Sequence, residues 1–162
     1  PFDENCCFSS FLLQDELKIV AAPGRISAKG FKLANYLASG GRFILRESGS
    51  GTRHHFDKYL EELKLPMPEE TAIVEANNFE TIKNLVRSGF GITVISELAV
   101  SDEINSGLLE AFRAAEGALY REMNFIYHPA GDIKFAERFI NFCTAHRTNP
   151  ERNTAPSKRS RI

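Results

Sequence analysis

A chain of 162 residues is long enough for one ordinary domain or two small lobes, and 43% hydrophobic with 25% charged content suits a soluble fold with a real core. The formal net charge of −1 gives no basic footprint for nucleic acid, and no apolar run reaches membrane-spanning length. Cysteine is sparse, at Cys6, Cys7 and Cys143, which excludes a disulfide scaffold and favours a reducing cytoplasm. The start, Pro1-Phe2-Asp3-Glu4, has neither Met nor a secretory apolar segment, so a processed or cut chain is expected.

Residues 1–16 carry no clean period, although Phe8, Phe11, Leu12 and Leu13 want a partner surface. Leu17–Ala22 is a strand candidate stopped by the turn pair Pro23-Gly24. Ser27 is placed to cap a short helix with Phe31, Leu33 or Ala34, and Leu37 on its apolar face, ended by Gly40-Gly41. Phe43–Arg46 is the second strand. Ser48-Gly49-Ser50-Gly51-Thr52 follows as a small-residue loop, and Phe56, Tyr59, Leu60 and Leu63 then recur at helical spacing. After Pro66-Met67-Pro68 come a strand at Thr71–Glu75 and a helix at Phe79–Ser88. Asn78 stands as that helix's N-cap and Gly89 at its C′ position.

Gly91–Ile95 is nearly all apolar, as strands buried on both faces are. A short helical segment at Glu97–Val100 and a weaker strand at Leu108–Phe112 lead to a further strand at Arg121–Tyr127. Ile133–Arg147 is a terminal helix with Phe135, Phe139, Ile140, Phe142 and Cys143 on a broad apolar face and Arg138 and Arg147 outward. From Thr148 the polar, proline-containing chain with its basic run Lys158–Arg161 reads as a disordered tail. Strands alternating with helices predict an α/β fold with mostly parallel pairing. In such sheets ligands bind beyond the carboxyl ends of strands, and Ala22-Pro23, Glu47–Thr52 and Asn77-Asn78 are the loops that meet this rule.

The strand, loop and helix at Phe43–Leu63 organise the chemistry. A helix start carries unpaired N–H donors and partial positive charge, and glycines let a ligand approach it closely. Sharper chemistries fail on spacing. A nucleophile elbow around Ser50 needs Gly where Ser48 stands, and no Asp/His pair completes a triad, so no catalytic residue is assigned. The loop lacks a P-loop lysine. Adjacent His54 and His55 point about a hundred degrees apart on a helix, so no metal site is assigned. Gly89-x-Gly91 precedes a strand rather than following one, unlike a dinucleotide fingerprint. No cofactor is implied.

Three spaced stretches together resemble the effector-binding domain of LysR-type transcriptional regulators. They are FILRESGSGTR at 43–53, VEANNFETIKNLVRSGFGITVIS at 74–96, and the Ser106-Gly107-Leu108-Leu109 turn. The resemblance runs from about Leu12 to Arg147. It implies a periplasmic-binding-protein-like (type II) α/β fold of two lobes with the ligand in the cleft. Residues 21–117 would be a complete second lobe. Residues 1–20 and 118–147 would be a partial first lobe, with 148–162 as the tail.

The N-terminal winged helix-turn-helix is absent, so DNA would be bound only through a domain outside this chain. The resemblance carries ligand contact to Ala22, Pro23, Glu47, Ser48, Gly49, Ser50, Gly51, Thr52, Phe90 and Gly91, with Phe90 and Gly91 on the hinge side. It places His54, His55, Asp57, Lys58 and Glu61 at the interface of a homodimer or homotetramer. The implied effector is a small anionic metabolite. Glu47 would repel an anion or instead receive an amine or a hydroxyl-bearing ligand, or else it pairs with Arg46 or Arg53 at the surface. The rival functions are a solute-binding lobe of a transport system and a small-molecule α/β enzyme. No membrane partner is expected.

Overall fold

The structure, a computed structural model, describes residues 8–128 and 131–146 together with the strand pair Ser160–Arg161. Cys6, Cys7, Arg147 and the expected tail apart from Ser160–Arg161 lie outside the described residues. Two compact units form: Pro1–Asp15 with Arg121–Ile162, and Glu16–Tyr120.

The larger unit is a sheet with helices on both faces. Strand β1 spans Phe8–Ala21 and enters this unit at Glu16. It is followed by helix α1 (Leu33–Ala38), β2 (Phe43–Leu45), α2 (Gly51–Glu62), β3 (Ile73–Glu75), α3 (Phe79–Arg87), β4 (Thr93–Ser96), α4 (Ser101–Asn105) and β5 (Glu110–Phe112). Single 3-10 turns at Glu70–Ala72 and Glu97–Val100 lead into β3 and α4. β2 and β3 pair in parallel, and a parallel bridge between Phe43 and Ile92 joins β2 to the start of β4. β1 lies between β4 and β5 and is antiparallel to both. The order across the unit is therefore β3, β2, β4, β1, β5.

The expectation of parallel pairing holds for β2 with β3 and for the bridge from β2 to β4, and is overturned where β1 pairs antiparallel with β4 and β5. The residues of β1 explain the miss. An apolar run such as Lys18–Ala22 records burial, whereas direction is set by the connections. β1 also begins at Phe8 rather than Leu17, because its first half belongs to the other unit and does not share the buried pattern of Asp15–Ala21.

Alternation sorts the core into two layers. Leu17, Ile19 and Ala21 share one face with Phe43, Leu45, Ile92 and Val94, covered by Leu33 of α1 and by Phe56 and Leu60 of α2. Val20, Ile44 and Ile95 face the other way, against Ile82 and Val86 of α3, Val100 and Leu109. Ile82 and Val86 are fully buried, each worth about 1.5–3 kcal/mol of apolar transfer.

Helix starts are secured differently. Asn78 accepts from the N–H groups of Glu80 (2.8 Å) and Thr81 (3.2 Å), as a local N-cap should. Ser27 does not cap α1. That helix starts at Leu33, and the carboxylate of Glu116 takes the N–H groups of Leu33 (3.0 Å) and Ala34 (2.9 Å). Gly89 sits at φ +74° and ends α3, with the Phe90 N–H returning to the Leu85 carbonyl at 3.1 Å.

In the smaller unit, β6 (Leu119–Tyr127, entering it at Arg121) pairs with β1, and the backbone of β7 (Ser160–Arg161) pairs with Phe8 and Ser9. Helix α5 spans Ile133–Ala145, with Asp132 accepting from the Phe135 N–H at 2.9 Å. No α5 residue is buried, and Phe135, Phe139 and Phe142 are exposed. The apolar face expected there is present in sequence and uncovered among the described residues.

Candidate functional site

Strand direction divides the ten residues assigned to ligand contact into two groups. β2 and β4 finish at the same edge of the sheet, where Leu17 stands opposite Ser96. The loop Glu47–Thr52 and the turn Ala76–Asn78 leave from this edge, after β2 and β3. Because β1 runs the other way, Ala22 and Pro23 leave from the opposite edge. Phe90 and Gly91 enter there, just before β4. The edges are about 16 Å apart, five strand residues at roughly 3.3 Å each. The structure brings Glu47, Ser48, Gly49, Ser50, Gly51 and Thr52 together. It does not bring Ala22, Pro23, Phe90 and Gly91 to them.

The residues that do share the edge with the loop are Ser96 and Glu97 after β4 and Glu16–Lys18 of β1. Sequence reasoning passed over them, because their location depends on β1 being antiparallel. A signal existed: three charged residues, Asp15, Glu16 and Lys18, stand within or directly before the apolar run that ends β1. Glu16 is 1% exposed, held by Lys18 at 2.9 Å and by the guanidinium of Arg113, which bonds both carboxylate oxygens. Burial pushes the Glu16 carboxyl up, but the Arg113 and Lys18 bonds outweigh it, and its pKa lies below the usual range.

At the starts of α1, α3 and α5 a side chain takes a first-turn N–H: Glu116, Asn78 and Asp132 respectively. The N-cap side chain makes no such bond at the five-residue α4, nor at α2. Ser50 occupies its N-cap position in extended conformation (φ −78°, ψ 135°), yet its hydroxyl makes no capping bond. Ser50 is 8% exposed and Thr52 5% exposed, whereas Ser48 and Gly49 are open to solvent. Buried hydroxyls and an uncapped helix start therefore sit behind an accessible rim.

Glu47 does not face this loop as a free charge. Both its carboxylate oxygens are engaged by Arg46, at 2.8 and 2.7 Å, and Arg46 also stacks 4.6 Å from the Phe79 ring centroid. The Arg46 bonds hold the Glu47 carboxyl down at about 2. Arg53 pairs with Asp57 at 2.7 Å. The charges flanking the loop thus cancel in pairs, and the first turn of α2 carries no acidic residue to offset its partial positive charge.

Along α2, an open groove of about 650 Å³ is lined by His54, Asp57, Lys58, Glu61, Leu65 and Met67. Four of the five residues assigned to subunit contact line it. His55 does not; its Nδ1 donates to the Gly51 carbonyl at 2.7 Å. The two histidine rings lie edge to face, 5.9 Å apart, and no cluster of potential metal ligands occurs among the described residues.

A sheet covered on both faces by helices, with the loops after β2 and β3 leaving from one edge, is an α/β architecture. The family follows directly. Residues 3–148 match the LysR substrate binding domain, and the chain belongs to that family, the effector-binding regulatory part of LysR-type transcriptional regulators.

It is 34% identical over 148 residues to the HTH-type transcriptional regulator YeiE of Escherichia coli K12, covering 88% of this chain and 49% of that one. Against the HTH-type transcriptional activator CmpR of Synechocystis the identity is 27% over 135 residues, covering 83% and 43%. The chain therefore spans about half the length of these relatives. Among solved structures, the Synechocystis CcmR regulatory domain in complex with 2-PG superposes with a TM-score of 0.72 at 19% identity, covering 93% of this chain and 71% of that one. The effector-binding domain of QuiR in complex with shikimate gives 0.69 at 17% identity, covering 89% and 66%. These likenesses show the two-lobed, type II periplasmic-binding-protein-like fold.

Proposed function

We propose that this chain senses a small anionic metabolite at the edge formed by Ser48–Thr52, and that binding there alters how a DNA-binding segment of a longer regulator engages its operator. The observation that carries this reading is the uncapped start of α2 with the buried Ser50 hydroxyl behind it. An anion would bond at the α2 start as the side chains of Glu116, Asn78 and Asp132 do at the starts of α1, α3 and α5. Ser48 and Thr52 supply hydroxyl donors. Glu47, committed to Arg46, leaves the site free of net negative charge. The two related structures that hold 2-PG and shikimate support an acidic ligand.

The same reading makes the protein a cytoplasmic, non-enzymatic sensor that pairs with a second copy along α2. No helix is long and apolar enough to cross a membrane among the described residues. Ala22, Pro23, Phe90 and Gly91 are not included in the site, since they lie at the opposite edge.

The test is a thermal-shift panel of small carboxylates and phosphates that includes 2-PG and shikimate. A ligand at a hundred times its Kd raises stability by about 2.7 kcal/mol. At least one compound raises Tm, and the gain shrinks in Ser48→Ala and Thr52→Ala while their ligand-free Tm stays near the parent's. A gain unchanged in both variants removes the loop from the site.

A further inference from the structure

At the edge where β1 finishes and β4 begins, one guanidinium is stacked on an exposed ring and a second lies against the glycine that precedes that ring in the chain. Arg25, in the turn after β1, lies against Gly89, where an added Cβ would meet its Nε and Nη2 at 2.9 Å. Arg42, just before β2, stacks on Phe90 with its guanidinium carbon 4.5 Å from the ring centroid. The Arg42 backbone is fixed, its carbonyl accepting the Tyr36 hydroxyl at 2.9 Å and the Ile92 N–H at 3.0 Å. Gly91 permits that approach, since a Cβ there would fall 2.5 Å from the same carbonyl oxygen. Each glycine of Gly89-Phe90-Gly91 thus admits one arginine, and Phe90 between them is 44% exposed.

Neither guanidinium closes on a carboxylate among the described residues. Other arginines of the unit do: Arg46 on Glu47, Arg53 on Asp57 and Arg113 on Glu16. Arg87, at the end of α3, feels Glu103. Glu110, across from the turn that carries Arg25, takes the Gly24 N–H at 3.3 Å. The negative end of α3 accounts for a cation beside Gly89, but not for a second arginine stacked on an open aromatic ring. Arginine forks match carboxylates and stay stacked while doing so, and arginine with aromatic rings is the composition of interface centres.

We propose that Arg25, Phe90 and Arg42 form a docking surface for an acidic segment of a partner protein. Two carboxylates of the partner pair with the guanidinium groups, and an apolar side chain lies on the open part of Phe90. The surface is at the opposite sheet edge from Ser48–Thr52, so it stays available whether or not that loop is occupied, and it stands independently of the reading above.

The test is an amide NMR titration of the full chain with a synthetic peptide of glutamate and aspartate around one central leucine, and separately with a short DNA duplex. The peptide shifts the amides of Gly89, Phe90 and Gly91 in a saturable way. Arg25→Glu with Arg42→Glu weakens it by about tenfold or more, Phe90→Ser weakens it with both charges intact, and Ser48→Ala leaves it unchanged. Circular dichroism and Tm confirm that each variant is folded. Shifts elsewhere, equal binding by the charge-reversed variant, or saturable binding of the duplex in preference to the peptide overturns the proposal.

Discussion

Glu116 does from a distance what Asn78 does locally. Asn78 caps the helix that follows it in sequence, whereas Glu116 reaches back across the chain to the start of α1. Burial pushes the Glu116 carboxyl up, but the Ala34 and Leu33 N–H groups outweigh this, and its pKa lies below the usual range. A carboxylate with a lowered folded pKa contributes stability above its unfolded value, near 4.3, that is lost as pH falls through the folded value. Glu116→Gln keeps an acceptor but removes the charge. It should lower stability at pH 7 by about 0.3–1 kcal/mol and flatten the fall of Tm below about pH 4. A variant whose acid limb matches the parent's would show that Glu116 is not the group involved. Glu47 offers the contrast, since its partner Arg46 is its neighbour in sequence and the pair serves to neutralise the loop rather than to close a fold.

At the scale of elements, α2 carries two surfaces: its start, and the groove along its side. If the groove receives a second copy, reversing one of its charges should disrupt pairing. Lys58→Glu alone, or Glu61→Lys alone, should shift the equilibrium toward monomer in sedimentation, by a factor of about ten in dissociation constant or more. Restoring complementarity by mixing charge-swapped partners should recover it. An unchanged oligomeric distribution would take the groove out of the interface.

Most elements were legible because their signals are local. Phe56 and Leu60 repeat at helical spacing, Asn78 precedes an amphipathic run, and Gly89 takes the left-handed conformation that ends α3. The loop Glu47–Thr52 between β2 and α2 was legible for the same reason. What meets it across the sheet was not. Which end of β1 meets that loop depends on strand direction, and direction follows from pairings between Leu17–Val20 and Thr93–Ser96 that no local pattern records. The cap on α1 was missed likewise, since its donor and acceptor are 82 and 83 residues apart.

For the molecule as a whole, the two units differ in how they are held. The larger contains both buried core layers, while α5 in the smaller buries no residue. Native-state hydrogen exchange should follow this difference. Amides of Leu17–Val20, Ile44 and Val94–Ile95 should exchange only on global unfolding, and those of α5 several orders of magnitude faster. Uniform protection across both would mean that the exposed phenylalanines of α5 are covered in solution.

The position of β1 has a consequence for synthesis on the ribosome. The first strand of the larger unit is central in the sheet, and its neighbours β4 and β5 come from residues 93–96 and 110–112. Emerging chain can form α2 or α3 early, but Leu17–Ala21 has no edge to join until more than seventy further residues have been made. Non-local pairing of this kind slows closure and leaves an apolar strand waiting in the open. A nascent chain paused before Thr93 would therefore be a preferred client of hydrophobic-segment chaperones, and release past Phe112 would end that dependence.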